Sequence, residues 1–253
     1  MSALVRAELV KLRSTRSQPW LLLATLAMVV LTIAFTTPSA GAQNNPLSLD
    51  QPSLLAEIVG VSFGFPQVTM VILGVLSFTQ EVRYGTVTST FLVEPRRTRV
   101  LAAKGVGVVL ASVVITTATL VVSVVVSAAM IYARHGNVTA RSEFWQMVAA
   151  AFAVMALSGV IGVAIGVVVR NQIVGVIAVL VWMNAVDHVL LDALPAVGRW
   201  TPGGATYGLL QLGPAITTKQ ALLDVPVAGF LLAAYTAAIV LVAAAVAPRR
   251  DVL

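Results

Sequence analysis

Six long apolar runs occupy most of this chain and leave it little choice of fold. They are Trp20–Phe35, Leu54–Phe78, Val106–Ile131, Phe144–Val169, Ile173–Leu191 and Val225–Val246. A bilayer core about 30 Å thick is crossed by roughly 20 apolar residues of helix. The runs are of that order, although the first is short and Glu57, Pro66 and Gln67 interrupt the second. They are rich in Ala, Val and Leu without strict alternation, which predicts helices rather than the strands of a membrane barrel. Charged residues make up 10 % of the chain and hydrophobic ones 58 %, whereas a soluble domain carries about 25 % charged residues. The sequence therefore specifies an all-α membrane protein with six transmembrane helices in one domain spanning residues 1–253.

The basic residues orient it. With the N-terminus in the cytoplasm, the inside segments hold Arg6, Lys11, Arg13, Arg16, Arg83, Arg96, Arg97, Arg99, Lys104, Arg170, Arg249 and Arg250, which is 12 of the 16 Lys and Arg. The outside keeps Arg134, Arg141, Arg199 and Lys219. This bias follows the positive-inside rule and puts both termini in the cytoplasm. The net charge of +6 is thereby accounted for as an asymmetry across the membrane, so it gives no reason to invoke nucleic acid.

The segments between the runs differ in kind. Residues 1–17 set Leu4, Val5, Leu9 and Leu12 against Arg6, Lys11, Arg13 and Arg16, the pattern of an amphipathic helix lying on an anionic leaflet. No small-residue cleavage site precedes a soluble domain, so the first run is expected to be a retained span. Thr36–Ser53 reads as an irregular outer loop, and Arg170-Asn171-Gln172 as a tight turn. Residues 193–224 are broken by Pro195, Pro202, Gly203, Gly204, Gly213 and Pro214; one or two short helices in the outer leaflet are expected there. Asn137-Val138-Thr139 matches a glycosylation sequon, and chance is the simpler account of it.

Catalytic constellations are missing. There is no Cys, and the two histidines, His135 and His188, belong to no HExxH motif; no GxSxG is present. No metal site is expected. Nor is there a GxxxxGK[ST] phosphate loop, so the chain is not expected to bind ATP or to be an enzyme by itself.

Gln80–Lys104, QEVRYGTVTSTFLVEPRRTRVLAAK, is too polar to cross the bilayer and carries five of the inside charges: Arg83, Arg96, Arg97, Arg99 and Lys104. A loop serving topology alone would look basic too, but here Glu81-x-Arg83-x-Gly85-Thr86 precedes Pro95-x-Arg97 and Ala102-Ala103-Lys104. With a basic start of the form ELVKLRSTR, two spans before this segment and four after it, the chain resembles the permease subunit of an ABC exporter of the type-2 (ABC-2) class. The likeness covers the whole chain in architecture, and residues 80–104 in sequence. It implies that this segment is a cytoplasmic coupling helix, docked on a separate nucleotide-binding subunit that holds the ATP and Mg²⁺. Two such ATPase copies and a second permease, identical or homologous, would complete the unit. The coupling positions carried over are Glu81, Arg83, Gly85, Thr86, Pro95, Arg97 and Lys104. In chemical terms, Glu81 can bond a basic residue of a partner, Gly85 permits a sharp turn onto the membrane surface, and Arg97 and Lys104 can hold phosphates or a partner carboxylate.

Two further groups stand out. Phe63, Phe65, Pro66, Gln67 and Met70 of span two, with Trp182, Met183 and Asn184 of span five, offer adaptable apolar walls. They are expected to form a translocation path between two copies of the chain; ordinary interhelical packing is the alternative, and Pro66 fits either a cavity or a simple kink. Asp187, His188 and Asp192, in the last turns of span five, fit an outer gate or cap better than a substrate ligand. The expected function is ATP-driven export of a hydrophobic or amphipathic compound (drug, antibiotic or lipid) across a bacterial cell membrane. A membrane scaffold or sensor moved by an ABC ATPase is the alternative.

Overall fold

The computed structural model describes residues 2–14, 17–40, 51–86, 96–212 and 222–246, together with Leu47 and Leu92. Among these residues all regular structure is helical, and six helices are long and apolar enough to cross a membrane: Gln18–Pro38, Leu54–Arg83, Thr98–Ala133, Ser142–Val169, Gln172–Ala193 and Val225–Val246. An additional N-terminal helix, Ser2–Ser14, packs against span three. Short helices before span six are present, as expected, at Pro195–Gly198 and Pro202–Leu209, each opening on proline, whose missing N–H has no helical partner to lose at that position. Within the coupling segment, residues 87–91 and 93–95, including Pro95, lie outside the described residues, as does the side chain of Arg97.

Span three begins earlier than its apolar run suggests. It is one unbroken helix, Arg97–Ala133, about 55 Å long at 1.5 Å per residue, so its first turns project past the hydrocarbon on the side where residues 80–104 lie. Thr117 of this span is exposed, its hydroxyl donating to the Val113 carbonyl at 2.8 Å. Ser112, Thr116, Thr119, Ser123 and Ser127 are all buried on one stripe, spaced by three or four residues, and the hydroxyl of Ser62 donates to that of Ser123 at 3.0 Å.

Span two is the centre of the bundle. Of its most apolar stretch 72 % is buried, against 22 % in spans one and six and 17 % in span five. Its contact with span four is backbone against backbone: a Cβ on Gly74 would collide with the Gly159 carbonyl, and one on Gly162 with that of Val71. The glycine strip of span four therefore serves packing within the chain, and its counterpart is Gly74. Pro66 does not kink a continuous helix. The helix breaks three residues earlier, at Ser62 and Phe63, between Leu54–Val61 and Gly64–Arg83. Pro66 then sits in the first turn of the second piece, where an amide hydrogen is unpaired in any case. Glu57, which interrupts the apolar run, is 4 % exposed; the Gln51 amide and the Ser53 hydroxyl donate to its Oε1 at 2.8 and 2.7 Å.

The turn at Arg170-Asn171-Gln172 is as tight as its sequence suggests. Arg170 is left-handed at φ 56°, and the Asn171 side chain accepts from the amides of Ile173 and Val174, capping span five.

Candidate functional site

Two places concentrate polar chemistry, one at each end of the Gly64–Arg83 helix of span two. At the first, span two ends at Arg83 because Gly85 is left-handed, φ 70°, a conformation glycine adopts without a Cβ penalty. The Thr86 amide donates to the Glu81 carbonyl at 3.0 Å and the Gly85 amide to that of Val82 at 3.3 Å, the paired bonds of a Schellman ending. The Glu81-x-Arg83-x-Gly85-Thr86 spacing is thus the stop signal of the helix, and it fixes the carboxylate of Glu81 one turn back.

That carboxylate is 8 % exposed. Its Oε1 accepts from Lys104 Nζ at 2.7 Å and from Lys11 Nζ at 2.7 Å. Lys104, 1 % exposed, also donates to Glu8 Oε2 at 2.9 Å and to the Ser77 carbonyl at 3.0 Å, while Lys11 reaches Glu8 Oε1 at 2.9 Å. Two carboxylates and two ammonium groups therefore form a charge-balanced cluster binding the N-terminal helix to the end of span two and the start of span three. Burial lowers the pKa of Lys11, but the hydrogen bonds it donates to Glu81 and Glu8, with the attraction of their charges, outweigh it and hold it above its ordinary value. Within the chain, Glu81 and Lys104, both expected to offer contacts to a partner subunit, bond each other. A charge this deep is stable only when matched, and the nearest matching charges belong to the chain itself. Glu8 was missed, although it is the sole acid among the first 17 residues. Arg83 stays exposed and donates to Gln172 at 3.3 Å.

The second place lies between spans two, four and five and the outer short helices. A cavity of about 470 Å³ is lined by Phe65, Gln67, Met183, Asn184, Asp187, His188 and Asp192, together with Gly64, Gly203 and Tyr207. A second, of about 550 Å³, is walled mostly by apolar side chains of spans two, four, five and six, among them Val71, Ile161, Trp182 and Leu232. Gln67, Met183, Asp187 and Gly203 line both. Most of the expected path and gate residues therefore meet within one chain, without a second copy. Pro66 is buried and lines neither cavity; Phe63 and Met70 are fully buried core residues.

Nothing in the residues of span five foretells its local geometry. Residues Trp182–Val186 form a π-helical turn, closed by the Asp187 amide donating to the Trp182 carbonyl. Such one-turn insertions rotate the residues beyond them and recur at functional sites. Here the turn delivers Asp187 inward, 3 % exposed, while His188 faces out, its Nδ1 3.0 Å from the Met183 carbonyl and its Nε2 3.3 Å from the Tyr207 hydroxyl. Gln67 donates to the Thr206 hydroxyl at 3.0 Å, tying span two to the outer helix, and Tyr235 of span six donates to the Trp200 carbonyl at 2.9 Å.

Residues 4–185 match the family described as ABC-2 family transporter protein, which covers more than half of the chain. The chain belongs to the ABC-2 transporter family. It is a permease membrane domain of that family, a multi-pass membrane protein without the ATPase domain itself. No curated protein matches its sequence. The match takes in the charge cluster and the π-helical turn up to Ala185, and ends just before Asp187 and the outer short helices, so this ABC-2 permease completes its outer cavities with residues beyond the matched region.

Proposed function

We propose that this chain is the membrane-spanning subunit of an ATP-driven exporter, carrying a hydrophobic or amphipathic compound outward across a bacterial plasma membrane. A separate ABC ATPase, in two copies, holds ATP and Mg²⁺ and docks on residues 80–104 at the cytoplasmic face; a second permease copy, identical or homologous, completes the unit. One observation carries this reading: a single helix, Gly64–Arg83, bears Glu81 in the charge cluster and Gln67 in the wall of both cavities. At 1.5 Å per residue those side chains are set about 21 Å apart along a rigid rod. The cluster clamps the rod to the N-terminal helix and to span three, so a push on the segment between Gly85 and Lys104 moves the clamped helices together rather than dissipating in a loose loop. The mostly apolar walls of the second cavity suit loosely selective binding of amphipathic molecules.

The test is reconstitution with the ATPase partner in proteoliposomes. ATP-dependent movement of a lipophilic dye, lost in Glu81→Leu although the protein still inserts, is the expected result. ATP hydrolysis that moves no compound would instead favour a scaffold or sensor acted on by the ATPase.

A further inference from the structure

Both cavities share one buried carboxyl group with an unmet hydrogen-bonding capacity. Asp187 lies in the wall common to the two cavities and is 3 % exposed. Its surroundings include Thr201, the Gly203 amide, Trp182 and His188, yet its Oδ1 has no hydrogen-bond partner. Glycine at 203 is what admits the carboxylate, since a Cβ there would lie 2.7 Å from its Oδ2 and carboxyl carbon. No Lys or Arg lines either cavity, and the first adds Asp192 to the same sign of charge. A buried carboxylate that lacks a cationic partner is costly in an apolar setting, and a ligand that supplies a cation with an N–H donor removes that cost. Phe65 in the wall of the first cavity and Trp182 in the wall of the second are aromatic side chains of the kind that attract a cation.

We infer that Asp187 is the recognition carboxylate of a binding site for amphipathic cations, ammonium- or amidinium-like compounds whose apolar body occupies the cavities while the charged nitrogen bonds Asp187. This rests on the export reading and narrows it to a substrate class. The site is one that a neutral or anionic lipid of the same bulk fills less well, because such a molecule brings no positive charge to the carboxylate.

The experiment is equilibrium binding to the purified full chain in nanodiscs, which needs no ATPase. Ethidium, an aromatic cation with amino N–H donors, is titrated by fluorescence, with neutral Nile red as the comparison. Asp187→Asn, close to isosteric, is expected to weaken ethidium binding about tenfold or more, the cost of losing a charge-assisted bond, and to leave Nile red unchanged. Asp224→Asn removes a charge away from both cavities and is expected to change neither dye. A second measurement needs no variant: dodecylamine should displace ethidium from the unaltered protein, and dodecanol should not. Equal ethidium affinity in Asp187→Asn, or equal displacement by amine and alcohol, overturns the assignment. Export without any cation preference would sink this site and leave the exporter; cation binding without ATP-driven export would do the reverse.

Discussion

Lys104 Nζ lies 2.7 Å from Glu81 Oε1, and the two residues flank the whole segment expected to meet the ATPase. The ion pair closes the base of that segment, making its two ends one body, and Glu8 and Lys11 fasten that body to the N-terminal helix. A buried pair is weak as a source of net stability, but removing one member strands a charge.

Lys104→Met or Glu81→Leu should therefore each destabilise the protein by about 3–5 kcal/mol, and combining the two should cost less than the sum. Thermal unfolding of the purified variants measures this. Strictly additive losses would mean that the pair does not act as a unit.

The alkaline side of the stability profile follows from Lys11. Its folded pKa is raised above 10.5, so its contribution is fully present below 10.5 and is lost as pH rises through the elevated folded value. Unfolding temperature should be insensitive to this group from neutral pH to that point and then fall. In Lys11→Met this part of the fall should be absent; an unchanged alkaline profile would contradict the linkage.

Gly85→Ala should add about 1 kcal/mol of backbone strain at a left-handed position, whereas Gly85→Asn should be milder. The first variant should insert normally and show weakened coupling, read as a smaller substrate-stimulated rate of ATP hydrolysis in liposomes. Equal coupling in both variants would mean that the Schellman ending of span two plays no part.

Gly64 lines the outer cavity of about 470 Å³, and a Cβ built on it meets nothing within 4 Å. Gly64→Trp should fill that space, lowering export while basal ATP hydrolysis remains. By contrast, Gly74→Val should disrupt assembly, because spans two and four touch there through backbone. Full export by a well-expressed Gly64→Trp protein would place the route elsewhere.

Orientation is open to a direct check because the chain has no Cys. In intact cells an impermeant maleimide should label Asn137→Cys and spare Leu92→Cys. The opposite pattern would invert the topology argued from the 12 basic residues inside and the four outside.

Much of this was legible in the residues. Hydrophobic length alone set the six spans, because backbone amides in lipid must be satisfied within a helix. Pro195 and Pro202 announced the short outer helices, and Gly85 the end of span two, because both residue types act through local backbone geometry. The pairing of Glu81 with Lys104 was not legible: charge in a sequence shows only that a partner is needed, and the choice among candidates depends on which helices pack together. The same limit hid the single buried face of Ser112, Thr116 and Thr119.

By itself, then, the sequence determined what each segment could be: how many helices cross, where they stop and which ends are basic. Only the tertiary structure decided which polar groups meet. It took the backbone contact at Gly74 and Gly162 to centre span two, and the π-helical turn at Trp182–Val186 to send Asp187 inward beside Gln67. Those outcomes depend on side chains distant in sequence sharing a small, water-poor volume, where each unpaired charge or hydrogen bond costs enough to select one arrangement.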